Sequence, residues 1–146
     1  MSSSESSPRS PSASGLSDIE VVEALGREFF QALDARDPRR LRHTLAANAT
    51  FRGLPHHAPI RPADEIVAWF GTVVSSYPNA HWDVTDVIAT ADRAAVQFVI
   101  REYSARYGRE IISEQLVMIR VAAGKIVSIV GYYDTAEFHR VFWDGQ

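Results

Sequence analysis

The sequence predicts an α+β domain with helices packed on one face of a curved sheet, and two observations carry that expectation. Helical periodicity fills the first half of the chain and strand periodicity the second, an order that segregates helices to one side of an antiparallel sheet. The other observation is a pair of long alternating segments, Val96–Tyr103 and Glu110–Val121, joined across Ser104–Arg109. A third segment, Lys125–Asp134, follows at once across Ala122–Ala123–Gly124. Val96, Phe98, Ile100 and Glu102 fall on one face. Ile112, Glu114, Leu116 and Met118 form the matching register of the second segment, against Ser113, Gln115, Val117 and Ile119. Period two with β-branched and aromatic residues is the pattern of strands. Both faces are partly apolar, so both are expected to be covered, one by helices and the other by a second subunit.

The earlier elements follow in order. Ser17 and Glu20 have the spacing of a capping box, with Leu16 and Val21 as a hydrophobic staple, so a helix is expected to begin at Ser17. Ile19, Val22, Leu25, Phe29 and Leu33 make its apolar stripe. Asp37–Pro38 places an N-cap before a first-turn proline and opens a short second helix with Leu41 and Leu45 inward. Thr50–Leu54 reads as a strand, and 53–61, with two prolines and two histidines, as a loop. Pro62, Asp64 and Glu65 open a third helix with Ile66, Phe70, Val73 and Val74 inward; Tyr77–Pro78–Asn79 ends it. Ala80–Ala89 is the first strand of a four-strand meander, and Thr135–Trp143 a short closing helix.

Composition excludes several functions. With 146 residues, a net charge of -3 and 46% hydrophobic residues, the chain reads as one domain over 16–146 behind a disordered Ser/Pro-rich tail, 1–15. No basic patch or motif points to nucleic acid. The absence of cysteine rules out disulfides and thiolate chemistry. No apolar run reaches membrane-spanning length, and the expected location is cytoplasmic. His/Asp clusters at ligand spacing, phosphate-binding glycine loops and nucleophile motifs are missing, so neither a metal nor a cofactor is expected.

From Leu16 onward the chain resembles the nuclear transport factor 2-like superfamily, in its SnoaL-like and ketosteroid-isomerase-like branch. Phe29–Asp37 with Pro38, Ala47–Phe51, Tyr77–Val96 and Gly124–Val127 carry the likeness. It implies a cone-shaped barrel: a curved, mainly antiparallel sheet with three helices from the first half of the chain on its concave face, around one deep apolar pocket. The fold hosts isomerases, cyclases, dehydratases, epoxide hydrolases and non-enzymes alike. The isomerases' catalytic positions match Gly53, Phe29 and Leu116, and the essential acid of the cyclases and epoxide hydrolases matches Gly131, with an accompanying His at Ile129. Those catalytic roles are all empty. Val99, Val117, Ile119, Val130 and Tyr132 populate the face turned away from the helices, too apolar for a solvated face, so a homodimer formed sheet to sheet is expected, as the resemblance also suggests.

The candidate site is assembled by strand parity from Phe98. Glu102 is expected opposite Ile112 and Ile100 opposite Glu114, making the two carboxylates diagonal neighbours, able to split their pKa values and share acid and base work. The opposing reading leaves both solvated at the rim or paired with Arg101, Arg106 or Arg109. Tyr133 is either a hydroxyl donor or aromatic wall. Phe29, Phe51, Trp82, Phe98, Ile100, Leu116, Met118, Ile129 and Gly131 are the expected pocket, Gly131 leaving room for a ligand. A tight turn at Ala91–Arg93 presents Trp82 to it; a bulge presents His81 and Asp83 instead. His56, His57 and His81 are placed near the mouth. Two functions remain open: a cofactor-free enzyme moving a proton on a small apolar or polycyclic substrate (cyclisation, isomerisation, dehydration or epoxide opening), or a protein that binds a small hydrophobic molecule or assembles as a dimer without chemistry.

Overall fold

The computed structural model describes residues 17–105 and 107–140. The expected tail, Leu16 of the staple and residues 141–143 of the closing helix lie outside them. Helix α1 spans Asp18–Asp34, capped by Ser17 with the reciprocal Glu20 bond of a capping box. Helix α2, Pro38–His43, starts at Asp37, whose side chain accepts from the Arg40 amide. Strand β1 is Leu45–Arg52, α3 is Ala63–Ser76, and strands β2 (His81–Ala89), β3 (Arg93–Ser104), β4 (Arg109–Ala122) and β5 (Lys125–Tyr132) precede the short α4, Thr135–Phe138.

The five strands form one sheet in the order β1-β5-β4-β3-β2. β1 runs parallel to β5, and every other pairing is antiparallel. This is an α+β fold with its helices over a mixed, mainly antiparallel sheet. β1 starts five residues earlier than expected. Leu45, assigned by helical spacing to α2, is buried on β1 opposite Ile126. Ala46, Ala47 and Ala49 carry little strand signal of their own, and pairing with β5 overrides it.

The core lies between the helices and the sheet's concave face, where Val22, Phe29, Leu33, Ile66, Val96, Ile119, Ile126 and Ile129 are buried. Ile19, at 49% exposure, stays outside it despite its place on the α1 stripe. The helix approaches the sheet closely at Gly26. A β-carbon there would stand 2.9 Å from Val96 Cγ2, so the missing side chain sets how near α1 can lie.

The β3–β4 register departs from expectation by one residue. Ser104 pairs with Arg109, so Glu102 faces Ile111, Ile100 faces Ser113 and Phe98 faces Gln115. The loop is a residue shorter than the sequence reading assumed. Gly108, at φ +63°, takes the left-handed conformation just before β4, and Ser104 Oγ accepts from the Tyr107 amide at 3.3 Å. A slip of one residue exchanges the two faces of a strand. Ile111, Ser113, Gln115, Val117 and Ile119 therefore face the helices.

Candidate functional site

A cavity of about 230 Å³ opens between α1, α3 and the concave face. Eighteen residues line it; ten are aromatic and none carries a charge. From α1 come Phe29, Phe30 and Leu33, and from α3 Trp69, Phe70 and Val73, with Tyr77 just beyond. The sheet supplies Phe51 and Gly53, Trp82, Phe98 and Ile100, Gln115 and Val117, Ile129 and Gly131; Tyr133 and Phe138 close the far side. Phe70 anchors the cluster. Phe29, Phe51 and Trp69 surround it at centroid distances of 5.5, 5.0 and 5.0 Å, in the edge-to-face arrangements that ring quadrupoles favour. Phe30 lies against Phe98 at 4.3 Å.

Phe29, Phe51, Trp82, Phe98, Ile100, Ile129, Gly131 and Tyr133 all stand at this cavity. Trp82 pairs with Ile100 and is buried, because the irregularity in β2 falls later, between Val84 and Asp86. His81 and Asp83 consequently point outward. Leu116 and Met118 do not line the cavity: they sit on the outer face with Glu114, which pairs with Val99 and is exposed. Glu102 and Glu114 are thus on opposite sides of the sheet, and the two-carboxylate device does not exist. Gly131 leaves no room for a ligand. A β-carbon there would collide with the Gly53 carbonyl oxygen, so the vacancy is filled by backbone.

The histidines are elsewhere too. His56 and His57 pack edge to face in their loop at 4.7 Å; neither lines the cavity, although the His57 ring lies beside Gly53 of the wall. His81 Nδ1 lies 3.1 Å from Asp34 Oδ1, which also accepts from the Trp82 amide at 3.0 Å. That contact ties β2 to the end of α1. No group of three or more potential metal ligands occurs among the described residues.

Polar groups around the cavity are few. Gln115 Nε2 donates to Ser113 Oγ at 3.2 Å. Burial raises the pKa of the Tyr133 hydroxyl, and its ring packs on Phe138 at 5.5 Å. Glu102 follows Ile100 along the same face of β3, and its Oε1 is buried without a hydrogen-bond partner among the described residues. Desolvation raises its pKa, while the charge of Arg36 pulls it back. Arg36 makes no ion pair with it. Its guanidinium donates to the carbonyls of Asp34, Tyr77, Pro78 and Ala80 and sits 5.7 Å from the Trp82 ring centroid. A carboxyl so placed can accept from a ligand, donate when protonated, or pair with a cation.

Sequence reasoning missed Phe30, Leu33, Gly53, Trp69, Phe70, Val73, Tyr77, Gln115, Val117 and Phe138 as wall residues. The α3 stripe already pointed at Phe70 and Val73, and Trp69 was legible as its neighbour on the same turn. Gln115 and Val117 were hidden by the register of β4.

The fold has many solved relatives. An NTF2-like protein of unknown function from Burkholderia pseudomallei matches with TM-score 0.71 and 21% identity, over 84% of this chain and 98% of that one. A candidate ketosteroid isomerase from Kribbella flavida matches with TM-score 0.68 and 20% identity, over 81% of each chain. A protein of ketosteroid-isomerase-like fold from Catenulispora acidiphila, solved in complex with trimethylamine, matches with TM-score 0.68 and 17% identity, over 77% of this chain and 87% of that one. These likenesses define the class as an NTF2-like fold. The SnoaL-like domain model matches residues 26–129, and the chain belongs to that family. No curated protein matches it. Among the described residues no helix is long and apolar enough to cross a membrane.

Proposed function

We propose that this chain binds a small, mostly apolar molecule inside the aromatic cavity without chemistry of its own. The observation that carries the reading is a wall of eighteen residues with ten aromatic rings and no charge. Size limits the occupant: an apolar cavity of roughly 150 Å³ accepts benzene, so one of about 230 Å³ suits one or two rings. A larger polycycle needs the mouth to open. The Catenulispora relative's trimethylamine is a ligand of compatible size. A homodimer through the outer sheet face belongs to the proposal, supported by Leu116, Met118, Val130 and Tyr132 there, whereas Val117 and Ile119, expected in that interface, face the helices. A cytoplasmic setting is also part of it and rests on composition alone. Calorimetric titration with indole tests the cavity: one saturable site is expected, abolished by Val73→Trp, which fills the space. Non-saturating heats, or unchanged binding by a folded Val73→Trp variant, would defeat the reading.

The unpartnered Oε1 of Glu102 favours a second reading, proton transfer by a single carboxyl without a cofactor. Burial raises its pKa above the ordinary carboxylate range, so the protonated form, which can donate, persists to higher pH than in a solvated carboxyl. Isomerisation, cyclisation, dehydration or epoxide opening all fit one acid, with Tyr133 polarising an oxygen. Under this reading Glu102→Gln lowers turnover about 100-fold and leaves binding nearly unchanged. Equal turnover in the variant removes Glu102 from any chemistry.

A further inference from the structure

Resting on the small-ligand reading, we infer that the cavity selects a quaternary alkylammonium ion over an uncharged molecule of the same shape. Three features point to this class. The wall is mostly aromatic, and ring faces attract a cation most strongly where water is excluded. The wall offers few acceptors, which disfavours a primary ammonium with three N–H donors to satisfy; a fully alkylated nitrogen has none. Glu102, two residues beyond Ile100 on the same face of β3 and outside the wall itself, holds a buried carboxyl oxygen with no hydrogen-bond partner among the described residues, and a bound cation supplies it with a countercharge.

One ring of this wall already carries a cation, from outside the cavity lining. Arg36 lies 5.7 Å from the ring centroid of Trp82, itself a wall residue. Arg36 also works against a second cation, since its charge acts on Glu102. Its four carbonyl partners hold it back from pairing with the carboxylate, however, so Glu102 remains incompletely compensated. Binding a cation beside it favours ionisation, so affinity rises with pH as Glu102 loses its proton.

The test compares choline with 3,3-dimethylbutan-1-ol, which replaces the charged nitrogen by carbon, using calorimetry on the full chain at pH 8. Choline is expected to bind at least about tenfold more tightly. Glu102→Gln, checked for folding by circular dichroism, should reduce that preference to about threefold or less and leave the alcohol's affinity in place. Equal or tighter binding of the alcohol overturns the inference, as does a preference that survives intact in Glu102→Gln. If indole binds and choline does not, the ammonium inference fails and the small-ligand reading stands. If none of the three binds, both fail.

Discussion

Gly131 lies against the carbonyl of Gly53 where β5 passes the end of β1, leaving no space for a side chain at position 131. The resemblance to the cyclases matches their essential acid to this position. At that position the backbone of Gly53, just past the end of β1, fills the space a side chain would need. Gly131→Ala should destabilise the fold by about 2 kcal/mol or more, because relief requires moving backbone and not a flexible side chain. Urea denaturation measures it. A change under about 0.5 kcal/mol would mean that the end of β1 yields easily.

A second prediction separates the two faces of β4. Val117 is buried at the cavity wall, and Leu116 is half-buried on the outer face. Val117→Lys places an unpaired charge among aromatic rings and should cost several kcal/mol, enough to unfold a marginal domain. Leu116→Lys should keep the fold and convert a dimer to a monomer in light scattering at micromolar concentration. A monomeric parent protein removes the proposed sheet-to-sheet interface.

The same pair shows how far the sequence could be read. Element order, the capping box at Ser17, the proline-led start of α2 and the alternation of β3 are local signals, and each survives folding unchanged. Register is not local. It depended on whether the loop between Ser104 and Arg109 closes directly on that pair, and Gly108 decides that it does. That single residue moves Leu116, Met118 and Glu114 out of the site and brings Gln115 and Val117 in. The Gly53–Gly131 contact joins strands far apart in sequence, so neither residue revealed it alone. Phe29, Trp82 and Phe98 were legible because Phe29 lies on a helical stripe and the other two obey strand parity.

Arg36 supports a third prediction. It stands at φ +55° after α1 and spans the chain to three carbonyls around the turn before β2, those of Tyr77, Pro78 and Ala80. Arg36→Met keeps an unbranched apolar stem and removes all of these bonds together with the cationic contact on Trp82. The expected loss is about 2–3 kcal/mol, since some of the carbonyls are part-buried and lose a charged donor. A loss below about 0.5 kcal/mol in chemical denaturation would show that water replaces the guanidinium freely.

The last prediction concerns pH and follows from burial of Glu102. Its folded pKa is raised above the ordinary carboxylate value, desolvation being the larger cause and Arg36 opposing it. The folded state therefore holds this proton more tightly than the unfolded chain does. By linkage, the stabilising contribution is full below the unfolded pKa and is lost as pH rises through the folded one. Glu102→Gln cannot ionise, so it should gain on the parent protein as pH rises from 4 to 8, with the difference levelling off once the parent's carboxyl is fully ionised. Paired urea titrations at those two pH values measure the change. In Arg36→Met the opposing charge is gone, Glu102 is pushed further upward, and the pH-dependent gain from adding Glu102→Gln should be larger than in the parent background. An equal gain in both backgrounds would mean that Arg36 does not act on this carboxyl. A gain that grows as pH falls would reverse the sign and show that the carboxylate, not the acid, is the favoured form in the fold.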